Sequence, residues 1–288
     1  DRGAVWVGHF QAGLDYSLYQ NGLFRTYAYP PLFNSANLSI RSFISRGQEK
    51  VIGSRDGLFY INEATGMVKS FVKPVLTSDL ILTISFYQGE YYIGTYGGGM
   101  MVLNPETLSL KYFSQSDTEL FQKGHIFCVK PDTKGNLWIG TSQGLFNYNG
   151  QTKQIKHFTS ANSQLPEGNV YEVSFDSTGK GWIATETGMC IYDPASQNLR
   201  SNVFPEGFVN KDKVRTIYED SEHNLYFIRE KGSLFTSTLT MDRFYNQSVF
   251  STLPDNSLMA IVEDNQGWLW VGCNDGLLRI KKEGEEYD

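Results

Sequence analysis

A four-residue pattern recurs every 44 residues through the second half of the chain. Each copy has an Asp, a Gly three residues later, an aromatic residue six later and a Gly twelve later. The copies are Asp132, Gly135, Trp138 and Gly144; Asp176, Gly179, Trp182 and Gly188; Asp220, His223 (in place of Gly), Tyr226 and Gly232; and Asp264, Gly267, Trp270 and Gly276. Four copies in one phase indicate a repeat architecture, and a period of about 40–50 residues is typical of propeller blades.

The third member of the pattern, called the anchor here, can be followed through the whole chain. The anchors are Trp6, Val51, Tyr92, Trp138, Trp182, Tyr226 and Trp270, at spacings of 45, 41, 46, 44, 44 and 44 residues. Each repeat reads as four strands, for which we take 170–175 as a first, 137–141 as a second, 144–148 as a third and 154–158 as a fourth strand. The sequence therefore predicts an all-β fold, a single domain over residues 1–288 that forms a seven-bladed β-propeller of four-stranded blades. The first and last units are incomplete, which predicts a domain excised from a longer polypeptide.

The residue types fit this architecture. The chain has 28 Gly, 17 Tyr and 19 Phe, which favours short strands and tight turns. Leu137, Trp138 and Ile139 are consecutive apolar residues, as expected for a strand that is covered on both faces. Glycines two residues after an anchor predict a close approach of neighbouring backbone. These glycines are Gly8, Gly53, Gly94, Gly140 and Gly272.

Several chemical functions are disfavoured. The net charge is −6 with acids and bases interspersed, so nucleic acid is not expected as a partner. Cys128, Cys190 and Cys273 have neither metal nor disulfide spacing and are predicted to be buried small residues. No metal site and no cofactor is predicted. No apolar run is long enough to span a bilayer, and the N-terminus has no signal-peptide pattern.

Acidic, histidine and glycine clusters are interpreted as structural. Asp132, Asp176, Asp220 and Asp264 are predicted to form type I turns rather than paired glycosidase carboxylates, because the repeat relates them. The histidines are His9, His125, His157 and His223, and they share no metal spacing. His223 is expected in a turn, and only His125, at the start of a first strand, could suit catalysis. Residues 97–99 are three glycines that predict a tight turn, since no phosphate-loop Lys follows them.

The repeats resemble the two-component regulator propeller repeat. The resemblance rests on the stretches 263–272, 137–141, 144–145 and 162–170, with a shorter echo at 252–256. It implies the periplasmic sensor part of a hybrid histidine kinase regulator, as in Bacteroides-like bacteria. Two propellers and a β-sandwich would precede a transmembrane helix, a histidine kinase, a receiver and a DNA-binding domain that regulates transcription. The resemblance also implies carbohydrate sensing, with an oligosaccharide as the usual signal.

This chain would then be one propeller and not itself an enzyme. Its partners would be an oligosaccharide or other small ligand, the adjacent propeller and β-sandwich, and in one arrangement a homodimer mate, with membrane contact only through a distant helix. Ligand binding is expected where loops that precede first strands meet turns between second and third strands. The candidate binding residues in those turns are Arg55, Tyr96, Gln143, Glu186, Arg229 and Asn274.

Specific roles can be assigned to some of these candidates. Tyr96 could stack on a sugar ring, and Arg55 and Arg229 could hold a carboxylate through two hydrogen bonds. Two alternatives to ligand sensing stay open. One is a platform for protein interaction, and the other is a propeller lyase that would need His125 and an acid on one face.

Overall fold

The computed structural model describes residues 4–8, 14–18, 24–26, 39–113, 120–201, 212–229, 234–240, 244–246, 258–273, 276–280, 282–283 and 286–287. Nearly all regular structure in these residues is antiparallel β-sheet. The one helix found in them is α1 (Leu120–Lys123), a single turn in the loop that precedes a first strand. The repeat pattern had not indicated this helix.

Five sheets have four strands, each in sequential order. They are β4 (Ile40–Arg46), β5 (Glu49–Ser54), β6 (Leu58–Asn62) and β7 (Met67–Phe71); β8 (Ile81–Tyr87), β9 (Glu90–Thr95), β10 (Met100–Leu103) and β11 (Leu110–Tyr112); β12 (Ile126–Pro131), β13 (Asn136–Thr141), β14 (Gly144–Asn149) and β15 (Ile155–Phe158); β16 (Val170–Phe175), β17 (Gly181–Thr185), β18 (Gly188–Asp193) and β19 (Asn198–Arg200); and β20 (Val214–Glu219), β21 (Asn224–Arg229), β22 (Leu234–Thr238) and β23 (Phe244–Asn246). We name each blade by its anchor. The strands expected at 170–175, 137–141, 144–148 and 154–158 are confirmed to within two residues at either end.

The remaining sheets are smaller. One has three strands, β1 (Ala4–Gly8), β2 (Leu14–Leu18) and β3 (Phe24–Thr26). Another has three, β24 (Leu258–Glu263), β25 (Leu269–Cys273) and β26 (Gly276–Ile280), as predicted for the last unit. The strands β27 (Lys282–Glu283) and β28 (Glu286–Tyr287) form a two-stranded ribbon.

The number of blades corrects the prediction. Among the described residues, six sheets contain a first strand paired with an anchor strand, so the structure shows an all-β propeller with six blades rather than seven. The prediction of seven was wrong because it counted anchors. The strand that holds Trp6 pairs only with β2 among the described residues, which show no first strand for this seventh anchor.

The chain divides into two compact units. Unit 1 is Asp1–Ser142 with Asn147–Lys156, and unit 2 is Gln143–Phe146 with His157–Asp288. In unit 1 the Val51 and Tyr92 blades bury a shared apolar cluster that includes Leu58, Ile84 and Tyr91. In unit 2 the Tyr226 blade packs on both neighbours through two such clusters. Removal of this apolar surface from water is the main stabilising contribution.

Five of the anchors take the buried places predicted for them. Val51, Tyr92, Trp138, Trp182 and Tyr226 are buried. Trp270 is half-buried, with the Arg279 guanidinium 5.2 Å from its ring centroid. The Trp6 side chain lies outside the described part of the chain. Residues 137–141 are buried without alternation, which confirms that anchor strands are covered on both faces.

Two of the glycines after the anchors have a different reason from the one predicted. A Cβ on Gly53 would lie 2.5 Å from Ile81 Cγ2 of the next blade, and one on Gly94 would lie 2.5 Å from Thr83 Cγ2 of its own blade and 2.7 Å from Ile126 Cγ2 of the next. Side chains of first strands thus fill the space, and not backbone. Gly272 has no atom within 4 Å of its would-be Cβ, so this explanation does not apply to it.

A clamp between blades recurs in unit 2. The amide and hydroxyl of Ser177 both donate to the Glu219 carboxylate at 2.7 Å. Ser221 donates in the same way to Glu263, at 2.6 and 2.8 Å. The turn of one blade is thereby fixed to the end of the next first strand.

Candidate functional site

The acidic turn residues are part of the fold. Asp176 Oδ1 accepts hydrogen bonds from the amides of Thr178 and Lys180 at 2.9 and 3.0 Å, and Gly179 donates its amide to the Asp176 carbonyl at 2.8 Å. This confirms the predicted turn. Asp176 Oδ2 accepts from Trp182 Nε1 at 2.8 Å, a second role that sequence reasoning missed.

The same bond to the anchor recurs in the other blades that carry the full pattern. The pairs are Asp132 with Trp138 Nε1 at 3.0 Å, Asp264 with Trp270 Nε1 at 2.8 Å and Asp220 with the Tyr226 hydroxyl at 2.8 Å. These four carboxylates therefore fix turns and anchors. His223 has a φ of +66° where sister blades have Gly, which confirms it as a turn residue.

At the opposite edge of the blades, two sets of loops meet. In four blades, the residue that follows the anchor strand donates its amide to the loop that precedes the first strand of the same blade. The bonds are Arg55 to Ser39, Tyr96 to Leu80, Ser142 to His125 and Glu186 to Asn169, all at 3.0–3.2 Å. We call this the loop edge of a blade. Within each of these blades, the structure brings together the two loop sets at whose meeting point ligand binding was expected, and the candidates belong to the turns between second and third strands.

A β-bulge lies at the loop edge of every blade. All six first strands shift register after their first paired residue. The bulged residues are Arg41, Leu82, Phe127, Tyr171, Arg215 and Met259. Bulges redirect side chains and are frequent beside binding sites. No sequence signal marks them, because the bulged residues share no chemical type.

In unit 1 the loop edge presents an aromatic pair. Tyr96 is 49% exposed and stacks on His125, with ring centroids 3.9 Å apart and planes at 21°. The hydroxyls of Thr77 and Ser78 donate to the carbonyls of Gly98 and Tyr96 at 2.6 and 2.8 Å. The turn at 97–99 is therefore tight, as predicted, and the Tyr96 backbone is held in place.

His125 takes part in this pair through its ring. Its Nδ1 is buried and has no hydrogen-bond partner. Over the described residues, no ion pair joins His125 to a carboxylate. The sequence predicted His125 only as a possible lyase residue and did not link it to Tyr96, because the stack joins residues of two different repeats.

The other candidate residues at the loop edge differ in their exposure and in their hydrogen-bond partners. Arg55, Gln143 and Glu186 are exposed, as expected for turn residues. The Gln143 carbonyl accepts a hydrogen bond from His157 Nε2 at 2.8 Å, and His157 stacks on Phe146. Glu186 Oε2 accepts from the Asn169 amide at 3.3 Å. Asn274 lies outside the described residues.

Arg229 differs from the expectation of a solvent-facing turn residue. It is buried at the end of β21, where it forms an ion pair with Asp212 and lies 4.9 Å from the Phe235 ring centroid. Burial lowers the pKa of its guanidinium. Asp212, in the loop before β20, was missed. Asp212 lies in one of the two loop sets that meet at the loop edge, and this position in the sequence could have identified it as a candidate.

Other sequence predictions concern cysteines and metals. Cys128 and Cys190 are buried as predicted, and burial raises the pKa of the Cys190 thiol. Cys273 is only half-buried. Within the described ranges, no group of three or more His, Cys, Asp or Glu side chains is placed to hold a metal ion. In that same part of the chain, no helix has the length and apolarity to cross a membrane.

Four-stranded blades recur along the chain, and in four blades the anchor side chain donates a hydrogen bond to the turn carboxylate. These features define the chain as a β-propeller. Residues 121–143 and 252–275 match the model of the two component regulator propeller family. The chain therefore carries repeats of this family, which confirms the resemblance seen in the sequence. No curated protein matches the chain.

Solved structures agree on the fold. The extracellular domain of a hybrid two component system from B. thetaiotaomicron is 22% identical with a TM-score of 0.61, over 99% of this chain and 44% of that one. PorZ, of the type-IX secretion system of Porphyromonas gingivalis, is 14% identical with a TM-score of 0.75, over 97% of this chain and 45% of that one. YCF48 from Cyanidioschyzon merolae is 12% identical with a TM-score of 0.71, over 96% and 90%. This chain thus spans less than half the length of the first two.

Proposed function

We propose that this propeller is the extracytoplasmic, periplasmic ligand-sensing domain of a two-component regulator and that its ligand is an oligosaccharide. The match of two repeats to the two component regulator propeller family supports the regulatory role. The similarity to an extracellular domain of a hybrid two component system is consistent with the location. The domain would bind and not catalyse, and signalling would pass to other parts of a longer protein.

The observation that carries the proposal is the contrast between the two edges of the blades. At the turn edge, Asp and its anchor repeat the same bonds from blade to blade. At the loop edge of four blades, the same backbone bond holds a residue of a different type, which is Arg55, Tyr96, Ser142 or Glu186, and Gln143 follows Ser142 as an exposed side chain. A constant frame that presents varied exposed side chains is what selective recognition needs.

Tyr96 is the strongest ligand-binding candidate in unit 1. One face of its ring is stacked on His125, and nearly half of the residue is exposed to solvent. Its backbone is fixed by Ser78, so little conformational entropy is lost when a ligand packs on it. Flat aromatic rings present apolar area beside polar groups, which suits the C–H faces of a sugar.

The test is calorimetric titration of the chain with a panel of plant and host oligosaccharides. For the oligosaccharide that binds, Tyr96→Ala is expected to weaken binding about three- to tenfold, from an aromatic contact of roughly 0.5–1.5 kcal/mol. Tyr112→Ala is the matched control, because Tyr112 is 51% exposed but lies on the outer strand β11. No binding across the panel, or equal loss in both variants, would contradict the proposal.

A protein-interaction platform is the second candidate. Large apolar side chains are exposed on or just after outer strands of unit 1: Met67, Val72, Val75 and Tyr112. Apolar surface of this kind suits a docking partner such as a sister propeller, a β-sandwich or a second copy. Light scattering that shows association, lost in Val75→Lys, together with no binding of any oligosaccharide, would favour the platform.

A further inference from the structure

One position of the repeat has a structural task in most blades. Three residues after the anchor, five blades have a short polar side chain. They are Ser54, Thr95, Thr141, Thr185 and Cys273. In four of them this side chain donates to the carbonyl of the glycine that leads into the third strand, at 3.1 Å for Ser54, 2.9 Å for Thr95, 2.8 Å for Thr185 and 3.3 Å for the Cys273 sulfur.

Arg229 occupies this position in the Tyr226 blade. Its side chain is 8% exposed, so a charged guanidinium stands where the other blades place a small group. Burial of a charge opposes folding unless partners compensate for the lost water. Since five blades have a short side chain at this position and four of them close the turn with it, the fold itself does not require an arginine.

The carboxylate that faces Arg229 is far more exposed than the guanidinium. The Asp212 side chain is 59% exposed and comes from the loop that precedes β20. It can therefore return to water at little cost in solvation, while the guanidinium cannot. The next residue, Lys213, has its Nζ 4.6 Å from the ring centroid of Tyr171, the bulged residue of the neighbouring blade. A second cation and an aromatic ring thus lie at the same edge of unit 2.

We propose that Arg229 is a carboxylate-binding residue and that the carboxylate of an acidic sugar, a uronate, displaces Asp212 from its guanidinium. This inference rests on the proposed function and names the class of oligosaccharide. A planar guanidinium fork matches a planar carboxylate through two parallel hydrogen bonds. The Asp212 carboxylate already forms an ion pair with this guanidinium, which shows that a carboxylate can lie against it. The Asp212 carboxylate acts as an internal competitor that a ligand must replace.

The experiment measures dissociation constants of the full chain by calorimetry. The probes are oligosaccharides of galacturonate and of glucuronate, with neutral malto-oligosaccharides of equal length as the counterparts. Arg229→Thr, which installs the residue of the sister blades, is expected to weaken uronate binding about ten- to hundredfold, as loss of a charge-assisted bond predicts. Arg229→Lys keeps the charge without the fork and is expected to weaken binding about tenfold, which keeps the test decisive should the Thr variant fold poorly.

Asp212→Asn separates displacement from simple charge attraction. With the competing carboxylate removed, uronate affinity is expected to rise about three- to tenfold. Glu222→Gln is the matched control, since it removes one negative charge from an exposed position in unit 2 that lies in the turn after β20 and not at the loop edge. It is expected to change the affinity less than about twofold, because an exposed charge away from the binding residues is screened by salt.

The outcomes distinguish this inference from the function on which it rests. Neutral oligosaccharides that bind as tightly as uronates would overturn the uronate inference and leave the sensor function standing. An equal gain from Asp212→Asn and Glu222→Gln would overturn displacement at Arg229. Absence of binding by every probe, acidic or neutral, would overturn both the inference and the proposed oligosaccharide sensing.

Discussion

The bond between a turn carboxylate and a buried indole is the feature of this fold most open to a quantitative test. Asp176→Ala removes the acceptor for Trp182 Nε1, and Trp182 is buried. A buried donor left without a partner costs about 1–3 kcal/mol. The same change removes the bonds from the amides of Thr178 and Lys180, each worth roughly 0.5–1.5 kcal/mol. We expect a total loss of about 3 kcal/mol.

Urea unfolding followed by circular dichroism measures this loss, and a fall of about 6 °C in the thermal midpoint should accompany it. Trp182→Phe supplies the control, because it removes the donor and keeps most of the apolar surface. The double variant should recover about 1–2 kcal/mol relative to the sum of the single changes. Asp264→Ala should cost less than Asp176→Ala, since the Trp270 ring is half-buried and water can reach it.

Two results would refute this reasoning. One is an Asp176→Ala variant within about 1 kcal/mol of the parent, which would mean that water or another acceptor replaces the carboxylate. The other is strict additivity with Trp182→Phe, which would show that the carboxylate acts on the turn alone and not on the anchor.

Three further changes have defined outcomes. Gly144→Ala places a Cβ against the Phe158 carbonyl oxygen and should lower the unfolding free energy at least twice as much as Gly135→Ala, which has open space and should lose about 1 kcal/mol. Glu263→Ala breaks the clamp on the turn that holds Ser221 and should lower the free energy of unfolding by about 1–2 kcal/mol. Urea unfolding measures the effects of the glycine changes and of Glu263→Ala. Burial and the Glu49 carboxylate raise the pKa of Tyr60 to about 12. The folded state thus keeps a proton that the unfolded chain loses near pH 10, so the thermal midpoint should fall as pH rises from about 9 to 11, less steeply in Glu49→Gln.

The sequence was sufficient for features that every repeat shares. The Asp-to-Gly turn and the buried anchor recur at fixed offsets, so one blade predicts the others. The clamp of Ser177 to Glu219 could not be found in this way, because its members lie 42 residues apart and belong to different repeats. The blade count failed for a related reason: Trp6 has the sequence of an anchor, but a blade also needs a first strand beside it.

The candidate site was harder to predict, because turns that carry recognition are the least repetitive part of the sequence. The exposed positions of Arg55 and Gln143 follow from the repeat alone. The stack of Tyr96 on His125 does not, since it joins the turn of one blade to the loop before the next. The repeat predicts the position of a side chain on the backbone. The contacts between blades determine which residues that side chain packs against.

At Arg229 a buried charge replaces the short side chain that four other blades use to close the same turn. Stability measurements on variants can show whether this arginine is kept for the fold or for binding. If the guanidinium is retained for binding, Arg229→Thr should raise the thermal midpoint. A buried charge is removed, a short hydroxyl returns, and the Asp212 carboxylate left behind is already exposed to water. Asp212→Ala should lower the midpoint, because the guanidinium stays buried and loses this partner. If Arg229→Thr instead lowered the midpoint by as much as Asp212→Ala, the ion pair would be a structural tether, and the argument that the fold tolerates Arg229 for the sake of a ligand would fail.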